Sequence, residues 1–317
     1  MSAQFINPSD EKTTIARLSV ISNTGLLLLK LIVGLALGSV SIISEAIHSG
    51  MDLIAAIIAF FSVRKSAIPA DDDHAFGHGK YESISGLVEA ILIFIAAALI
   101  IREAVVKLLE PGEELLDPTL MLGGIAVMGI SALVNAYVSN RLMKVAKATD
   151  SVALESDAWH LRTDVYTSLG VFAGLVLIRL TGIMILDSIV AIGVALVIMK
   201  AAFDLTTKTW NDIIDHRLSD DEEHRIRAII CEHASDYMNF HGLRTRRSGP
   251  ELFMEFHLVV DGTITVQQSH DLTDHLESDL KIEFPRASVT IHVEPCQDSC
   301  TECSSLCDIG KTKRSEE

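Results

Sequence analysis

The stretch Glu155–Leu180, ESDAWHLRTDVYTSLGVFAGLVLIRL, begins as a polar helix and continues as an apolar one. Its polar half places His160 and Asp164 four residues apart, with Asp157 three residues before the histidine. Residues at these spacings lie on one face of an α-helix. Ionisable groups in membrane-spanning segments are costly and usually mark an ion path. The stretch therefore predicts a membrane helix with an ion-binding face.

Five further apolar runs accompany this one. The chain has 317 residues, of which 49% are hydrophobic, and its mean hydropathy is +0.36. Each run approaches or exceeds the ~20 residues that cross a bilayer core. The pattern predicts a polytopic α-helical membrane protein. We expect six transmembrane helices, over residues 15–37, 40–63, 84–108, 118–143, 160–180 and 183–204.

Charge predicts the orientation of these spans. Lysine and arginine concentrate before the first span and in the loops after the second and fourth, whereas the loop EPGEELLD, residues 110–117, has none. Basic loops stay in the cytoplasm, so we expect both termini there. The net charge of −16 argues against nucleic acid as a partner and suits a surface that gathers cations.

The residues after the last span predict a small soluble α+β domain with the order αββαβ. SDDEEHRIRAIICEHA is typical of a helix that begins after Ser219, and ELFMEFHLVVDG alternates like a strand. We therefore expect a transmembrane transport domain over 1–207 and a cytoplasmic metal-binding domain over 208–295. Residues 296–317 are polar and cysteine-rich, which is typical of disorder.

One motif occurs twice in the membrane part, as SEAIHSGMD and SDAWHLRTD. Two such helices facing each other would supply two imidazoles and two carboxylates, a set suited to tetrahedral Zn²⁺. The absence of cysteine from the spans disfavours Cu(I). The alternative is two helices joined by His–Asp hydrogen bonds. The repeated residues are Ser44, Glu45, His48 and Asp52 in one copy, and Ser156, Asp157, His160 and Asp164 in the other.

Three further groups have the residue types of metal ligands. Asp71, His74 and His78 lie in the loop PADDDHAFGHGKYES, which could also be an ordinary solvated acidic loop. A dispersed group in the soluble domain could equally be unrelated surface histidines. It comprises His241, His257, His270, His292 and Glu294.

The third group is in the tail, CQDSCTECSSLC. Four thiolates can hold tetrahedral Zn²⁺, although a single straight helix cannot wrap them around one ion. A role in weak metal capture and no role at all both stay open. The cysteines are Cys296, Cys300, Cys303 and Cys307.

In the order HSGMD, PADDDHAFGHGKYES, DAWHLRTDVYTSLG, HGLRTRRSG and VTIHVEPC, these motifs resemble the cation diffusion facilitator family. The resemblance covers residues ~10–295 and is greatest to the bacterial zinc and ferrous-iron efflux members, which act as homodimers. It implies export of divalent cations across a bacterial inner membrane in exchange for protons.

The resemblance also implies three metal sites. The transport site maps to His48, Asp52, His160 and Asp164, with Glu45 and Asp157 as supporting residues. The loop site and the cytoplasmic site map to the groups given above. Lys80 and Asp215 resemble a charge pair between the membrane part and the soluble domain, although Lys80 could be a plain solvated lysine.

The residues also fit an exchange of metal for protons, because a neutral imidazole binds metal and a protonated one cannot. We expect Zn²⁺ as the principal ion, with Fe²⁺, Cd²⁺, Co²⁺, Ni²⁺ or Mn²⁺ as alternatives. A membrane-embedded zinc hydrolase and a metal sensor are the rival functions. The remaining intramembrane polar residues predict either a water path or contacts between helices; they are Asn23, Lys30, Glu89, Asn135, Tyr137, Asn140 and Asp187.

Overall fold

The computed structural model of the chain describes residues 8–37, 40–109, 118–181 and 185–296. Contacts divide it into two compact units, which separate between Asn211 and Asp212. Six long helices precede the small elements of the second unit. They are α1 (Pro8–Leu37), α2 (Val40–Ser66), α3 (Lys80–Leu109), α4 (Pro118–Thr149), α5 (Val152–Thr181) and α6 (Ile185–Ile213).

Four of these helices are long and apolar enough to cross a membrane, when only the described residues are considered. They contain the segments Asp10–Ala36, Glu45–Ser66, Lys80–Val106 and Ser188–Ile213. A helical membrane domain is therefore confirmed, as predicted, while the number of spans stays a prediction. Helices α4 and α5 also form at the predicted places.

The helices pack through small residues and leave large ones outside. Ala16, Ala153 and Ala158 are fully buried where α1, α4 and α5 meet, since small side chains let helix backbones approach closely. In contrast, Leu35 and Leu133 are 65% and 75% exposed. An apolar exterior of this kind suits contact with lipid rather than water.

A buried polar network joins the ends of four helices. Glu82, at the start of α3, is fully buried and accepts hydrogen bonds at Oε1 from Lys12 Nζ at 2.7 Å and from Ser66 Oγ at 2.6 Å. Ser151, which precedes α5, donates to the other oxygen, Oε2. The lysine charge and the carboxylate compensate each other, so the network ties α1, α2, α3 and α5 together.

The second unit is a three-stranded sheet with two helices on one face. The elements follow the predicted order: α7 (Asp220–Glu232), β1 (Asn239–Ser248), β2 (Glu251–Val260), α8 (Val266–Glu283) and β3 (Ala287–Pro295). Strand β2 is central, antiparallel to β1 and parallel to β3. The parallel pair requires the crossover that α8 provides.

Alternation along β2 decides which face meets the helices. Met254, Phe256 and Leu258 are buried and pack against Ile230 of α7 and Leu276 of α8. The other face of β2, which carries His257, points away from this core. Both helices begin with reciprocal hydrogen bonds between the capping side chain and the third helical residue, and Ser219 is the cap of α7 as predicted.

Candidate metal centres

Helices α2 and α5 bring the two copies of the repeated motif together. His48 Nε2 lies 3.8 Å from both Asp52 Oδ1 and Asp164 Oδ1, and His160 Nε2 lies 3.1 Å from Asp52 Oδ1. Ligands at 2.0–2.2 Å from a tetrahedral ion are about 3.3–3.6 Å apart. The observed separations bracket that range, so small side-chain movements would let this cluster hold a divalent cation.

The four side chains of the α2–α5 cluster differ in exposure. His48 has a side chain that is 51% exposed, whereas Asp52 and His160 are buried. Asn135 of α4 donates from Nδ2 to Asp164 Oδ2 at 3.1 Å, which leaves Oδ1 facing His48. The asparagine therefore orients one potential ligand, as hydrogen-bonded neighbours of metal ligands commonly do.

A cavity of about 530 Å³ adjoins the α2–α5 cluster and includes His48, His160 and Asp164 in its wall. Most of its other lining residues lie in the half of each helix nearest residues 38–39, 110–117 or 182–184, and Asn135 and Thr163 lie near the middle of α4 and α5. The helices alternate in direction, so these halves share one side of the unit. The cavity thus extends from the cluster towards that side.

The two supporting acids differ in their surroundings. Glu45 lies in the cavity wall and accepts a hydrogen bond from Lys30 Nζ at 3.2 Å. Asp157 is 1% exposed, and its Oδ2 has no hydrogen-bond partner among the described residues. Neither belongs to the group of potential ligands formed by His48, Asp52 and Asp164. The predicted ligand His160 is also outside that group and joins the cluster through its contact with Asp52.

The loop between α2 and α3 forms a second group of three ligand atoms. His74 Nδ1 lies 3.1 Å from Asp71 Oδ1, and His78 Nε2 lies 3.4 Å from Asp71 Oδ2. The backbone N–H of His74 donates to Asp71 at 2.7 Å, which lowers the pKa of that carboxyl and keeps it charged. The His78 side chain is buried, and neither ring nitrogen has a hydrogen-bond partner within the described chain. A bound metal ion would give a ring nitrogen of His78 a partner.

The third group crosses the sheet of the second unit. His241, His257 and His292 occupy paired positions on β1, β2 and β3, and adjacent ring centroids lie 4.9 and 5.0 Å apart. Gly242, with φ +66°, follows His241 at an irregularity in β1. A Cβ there would approach His257 Cδ2 to 3.2 Å, so glycine lets the two histidines approach.

Glu294 gives this row of histidines its negative charge. Its Oε1 lies 2.7 Å from His257 Nδ1 and its Oε2 lies 3.1 Å from His241 Nε2, while His292 Nε2 is 3.8 Å from Oε1. The hydrogen bond with His257 lowers the pKa of Glu294. One carboxylate thus faces three imidazoles, a donor set that fits one or two divalent ions.

Comparison with known proteins agrees with this architecture. The family model for the cation efflux transmembrane domain matches residues 16–214. The chain belongs to the cation efflux family. The model for the cytoplasmic domain of these proteins matches residues 218–296. The resemblance inferred from the motifs is confirmed, and this cation efflux protein is a membrane transporter rather than an enzyme, which removes the hydrolase alternative.

Individual relatives extend over most of the cation efflux protein. An uncharacterized transporter from Synechocystis sp. is 36% identical over 82% of this chain and 83% of that protein. The cation-efflux pump FieF from Shewanella oneidensis is 33% identical over 89% of this chain and 93% of its own. A solved structure of CzrB, described as a proposed zinc transporter, is 46% identical and covers 25% of this chain and 99% of that chain, with a TM-score of 0.25.

Some predicted site residues of the cation efflux protein lie apart from the three groups. His270, on α8, lies beside Asp274 of the same helix, with Nε2 and Oδ2 3.5 Å apart. Asp215 accepts a hydrogen bond from Arg246 at 3.3 Å, and Lys80 begins α3. Cys296 is of intermediate exposure, and its backbone N–H donates to the carbonyl oxygen of Val260 at 2.8 Å. The other three tail cysteines, Cys300, Cys303 and Cys307, lie outside the described residues.

Two polar residues, Asn135 and Lys30, make contacts that were not predicted as parts of a site. The sequence suggested only a water path or helix contacts for Asn135 and Lys30, yet Asn135 holds Asp164 and Lys30 reaches Glu45 and Ser49. Their partners are on other helices, so no local spacing marks them. The only sequence signal is that each is a polar residue in an apolar run.

Proposed function

We propose that this cation efflux protein exports divalent cations from the cytoplasm, with Zn²⁺ as its principal ion, in exchange for protons. The observation that carries the proposal is the α2–α5 cluster of two imidazoles and two carboxylates beside a cavity. Nitrogen and oxygen donors that small movements would bring to tetrahedral separations suit Zn²⁺, and geometry contributes more to selectivity than intrinsic affinity does.

Proton exchange follows from the chemistry of the same donors. His160 Nε2 lies 3.1 Å from Asp52 Oδ1, so the imidazole and the carboxylate can share a proton when no metal is bound. A metal ion requires the neutral imidazole and the charged carboxylate, and its arrival releases that proton. Each passage of an ion is thereby coupled to proton movement in the opposite direction.

The proposed orientation makes this structure the state that releases the ion on the outer side of the membrane. We propose that α1 to α6 each span a bacterial inner membrane and that the basic loops place both termini in the cytoplasm. The cavity extends towards residues 38–39, 110–117 and 182–184, which then face outwards. The network around Glu82 lies at the cytoplasmic ends of its helices and closes that side.

The second unit is proposed to be cytoplasmic and to assemble the protein as a homodimer. Acidic residues outnumber basic ones from Lys208 onward, so two such surfaces repel each other until cations neutralise them. The row of histidines with Glu294 is the site proposed for that metal, and the Asp71 loop is proposed to bind a further ion.

We predict that Zn²⁺ stabilises the isolated unit of residues 212–296, which has its own hydrophobic core. At a free ion concentration of 100 times Kd, the free energy of unfolding should rise by about 2.7 kcal/mol. Replacing both His257 and His292 with alanine should remove most of the gain. Thermal unfolding with and without Zn²⁺ measures it, and His275→Ala, on the exposed face of α8, is the control. An equal gain in the double variant would contradict the assignment.

A second prediction concerns the choice of metal. His48→Asp replaces the most exposed nitrogen ligand of the α2–α5 cluster with oxygen, and it should shift the Zn²⁺/Cd²⁺ ratio of transport rates towards Cd²⁺ by at least about threefold, or about 0.65 kcal/mol. The loss of one nitrogen loosens the tetrahedral preference. Rates in proteoliposomes give the ratio, with His224→Asp in the second unit as control. An unchanged ratio would exclude His48 from ion selection.

Flux measurements test the proposed function itself. In proteoliposomes that contain the full-length protein, protons that move down an imposed gradient should drive Zn²⁺ in the opposite direction. The internal pH should change as the ion crosses. A protein that only senses metal would bind Zn²⁺ without either flux. Zinc flux without any proton flux would overturn the exchange while leaving transport intact.

A further inference from the structure

A buried lysine lies beside the α2–α5 cluster. Lys30 of α1 is 6% exposed, and its ammonium donates to Ser49 Oγ at 2.8 Å and to Glu45 Oε2 at 3.2 Å. Ser49 follows His48 directly in the chain. A charged group in a membrane domain is costly unless it is paired or hydrogen-bonded, and Lys30 has both compensations.

The Lys30–Glu45 pair lies on the path through the cavity. Lys30 and Glu45 line the same cavity as His48 and Asp164. Glu45 comes three residues before His48 in α2, which places it about 4.5 Å nearer the start of that helix. The start of α2 is on the side towards which the cavity extends. An ion that leaves the cluster through the cavity therefore passes this pair.

We propose that the Lys30–Glu45 pair sets how tightly the α2–α5 cluster holds its divalent cation on the release side. This inference rests on the proposed function, because it assigns a role to two residues beside the proposed transport site. Asp52 and Asp164 carry two negative charges, which match one divalent ion. Lys30 and Glu45 add one positive and one negative charge that cancel. The cluster is thereby kept from holding the ion too strongly.

Removing the charge of Lys30 and removing the charge of Glu45 should shift the affinity for the divalent cation in opposite directions. Lys30→Met leaves Glu45 as a third negative charge near the ion, so binding should tighten and release should slow. Glu45→Gln leaves Lys30 as an uncompensated positive charge, so binding should weaken. Electrostatic energies between charges in a partly buried site are large enough to change the affinity for the ion in this way. The double variant restores neutrality and should return towards the parent protein.

A purely structural role predicts a different result. If the pair only joins α1 to α2, each single variant loosens the same contact, and both should alter transport in the same direction. The double variant would then be no better than either single one. Lys30→Arg keeps the charge and should preserve the parent's behaviour if charge is what matters.

The experiment measures initial Zn²⁺ flux against Zn²⁺ concentration for the full-length protein in proteoliposomes. We expect KM to fall at least threefold, with a lower maximal rate, in Lys30→Met, and to rise at least threefold in Glu45→Gln. The matched control is the exposed pair of Lys208 and Glu155, whose atoms are 2.6 Å apart and outside the cavity wall. Lys208→Met and Glu155→Gln should leave KM unchanged.

The outcomes separate this inference from the proposed function. Absence of Zn²⁺ flux in the parent protein would refute the proposed function. An active parent whose single variants shift KM in the same direction, or whose double variant is not restored, would refute the role of the pair. If Lys30→Met does not insert, Glu45→Gln, with a partly exposed side chain, decides alone: an unchanged KM overturns the proposal.

Discussion

Replacing Asp164 with asparagine should reduce Zn²⁺ flux by at least about a hundredfold. Loss of a group that only supports a metal ligand already lowers affinity or activity by up to about a hundredfold. The change keeps the shape of the side chain but removes one of the two negative charges of the α2–α5 cluster. Asn135 can still donate to the new amide oxygen, so the packing of α4 against α5 should survive. Flux in proteoliposomes, together with size-exclusion profiles, would separate loss of transport from loss of folding.

The control for that loss is Asp204→Asn, the same change at an exposed position of α6. It should leave flux within about twofold of the parent, because exposed substitutions far from a site seldom matter. Near-normal flux in the Asp164 variant would show that the cluster of α2 and α5 is not where the transported ion binds.

The largest effect on stability should come from Glu82→Ala. The substitution leaves the ammonium of Lys12 buried without its carboxylate, and removes the acceptor of Ser66 and Ser151. Removing one partner of a buried ion pair costs about 3–5 kcal/mol. The free energy of unfolding in mixed micelles should fall by that amount, and less folded protein should reach the membrane.

Two comparisons test whether charge is responsible. The double variant Lys12→Met/Glu82→Gln removes both charges and should recover most of the lost free energy. Glu155→Gln breaks the exposed pair with Lys208 and should cost under about 1 kcal/mol. If the double variant is as unstable as Glu82→Ala, the loss arises from packing and hydrogen bonding rather than from a stranded charge.

Regular patterns made much of the fold predictable. Alternation along β2 and the cap at Ser219 identified elements of the second unit, because a period of two and a capping side chain are local signals. Apolar length likewise predicted α1, α2, α3 and α6 as membrane helices. The count of six spans remains a prediction, since four helices meet the length and hydropathy of a membrane span within the described residues.

The candidate sites were less predictable than the fold. The repeat placed His48 and His160 in equivalent motifs, and the structure brings both beside Asp52, but their role in transport stays a prediction. Asn135 illustrates what could not be read: its contact with Asp164 depends on the rotation of α4 relative to α5. The contact between Lys30 and Glu45 likewise depends on how α1 lies against α2. Helix rotation is decided by packing over the whole bundle.

The position of Glu294 has a consequence for biosynthesis. The carboxylate that faces His241 and His257 belongs to β3, the last strand of the described chain, which joins the sheet only after α8 has crossed over. A ribosome must therefore complete nearly the whole soluble unit before this group of ligands exists. A chain that terminates before residue 287 keeps histidines on two strands but lacks the acid between them. The metal site proposed on this sheet is thus complete only in chains that include β3.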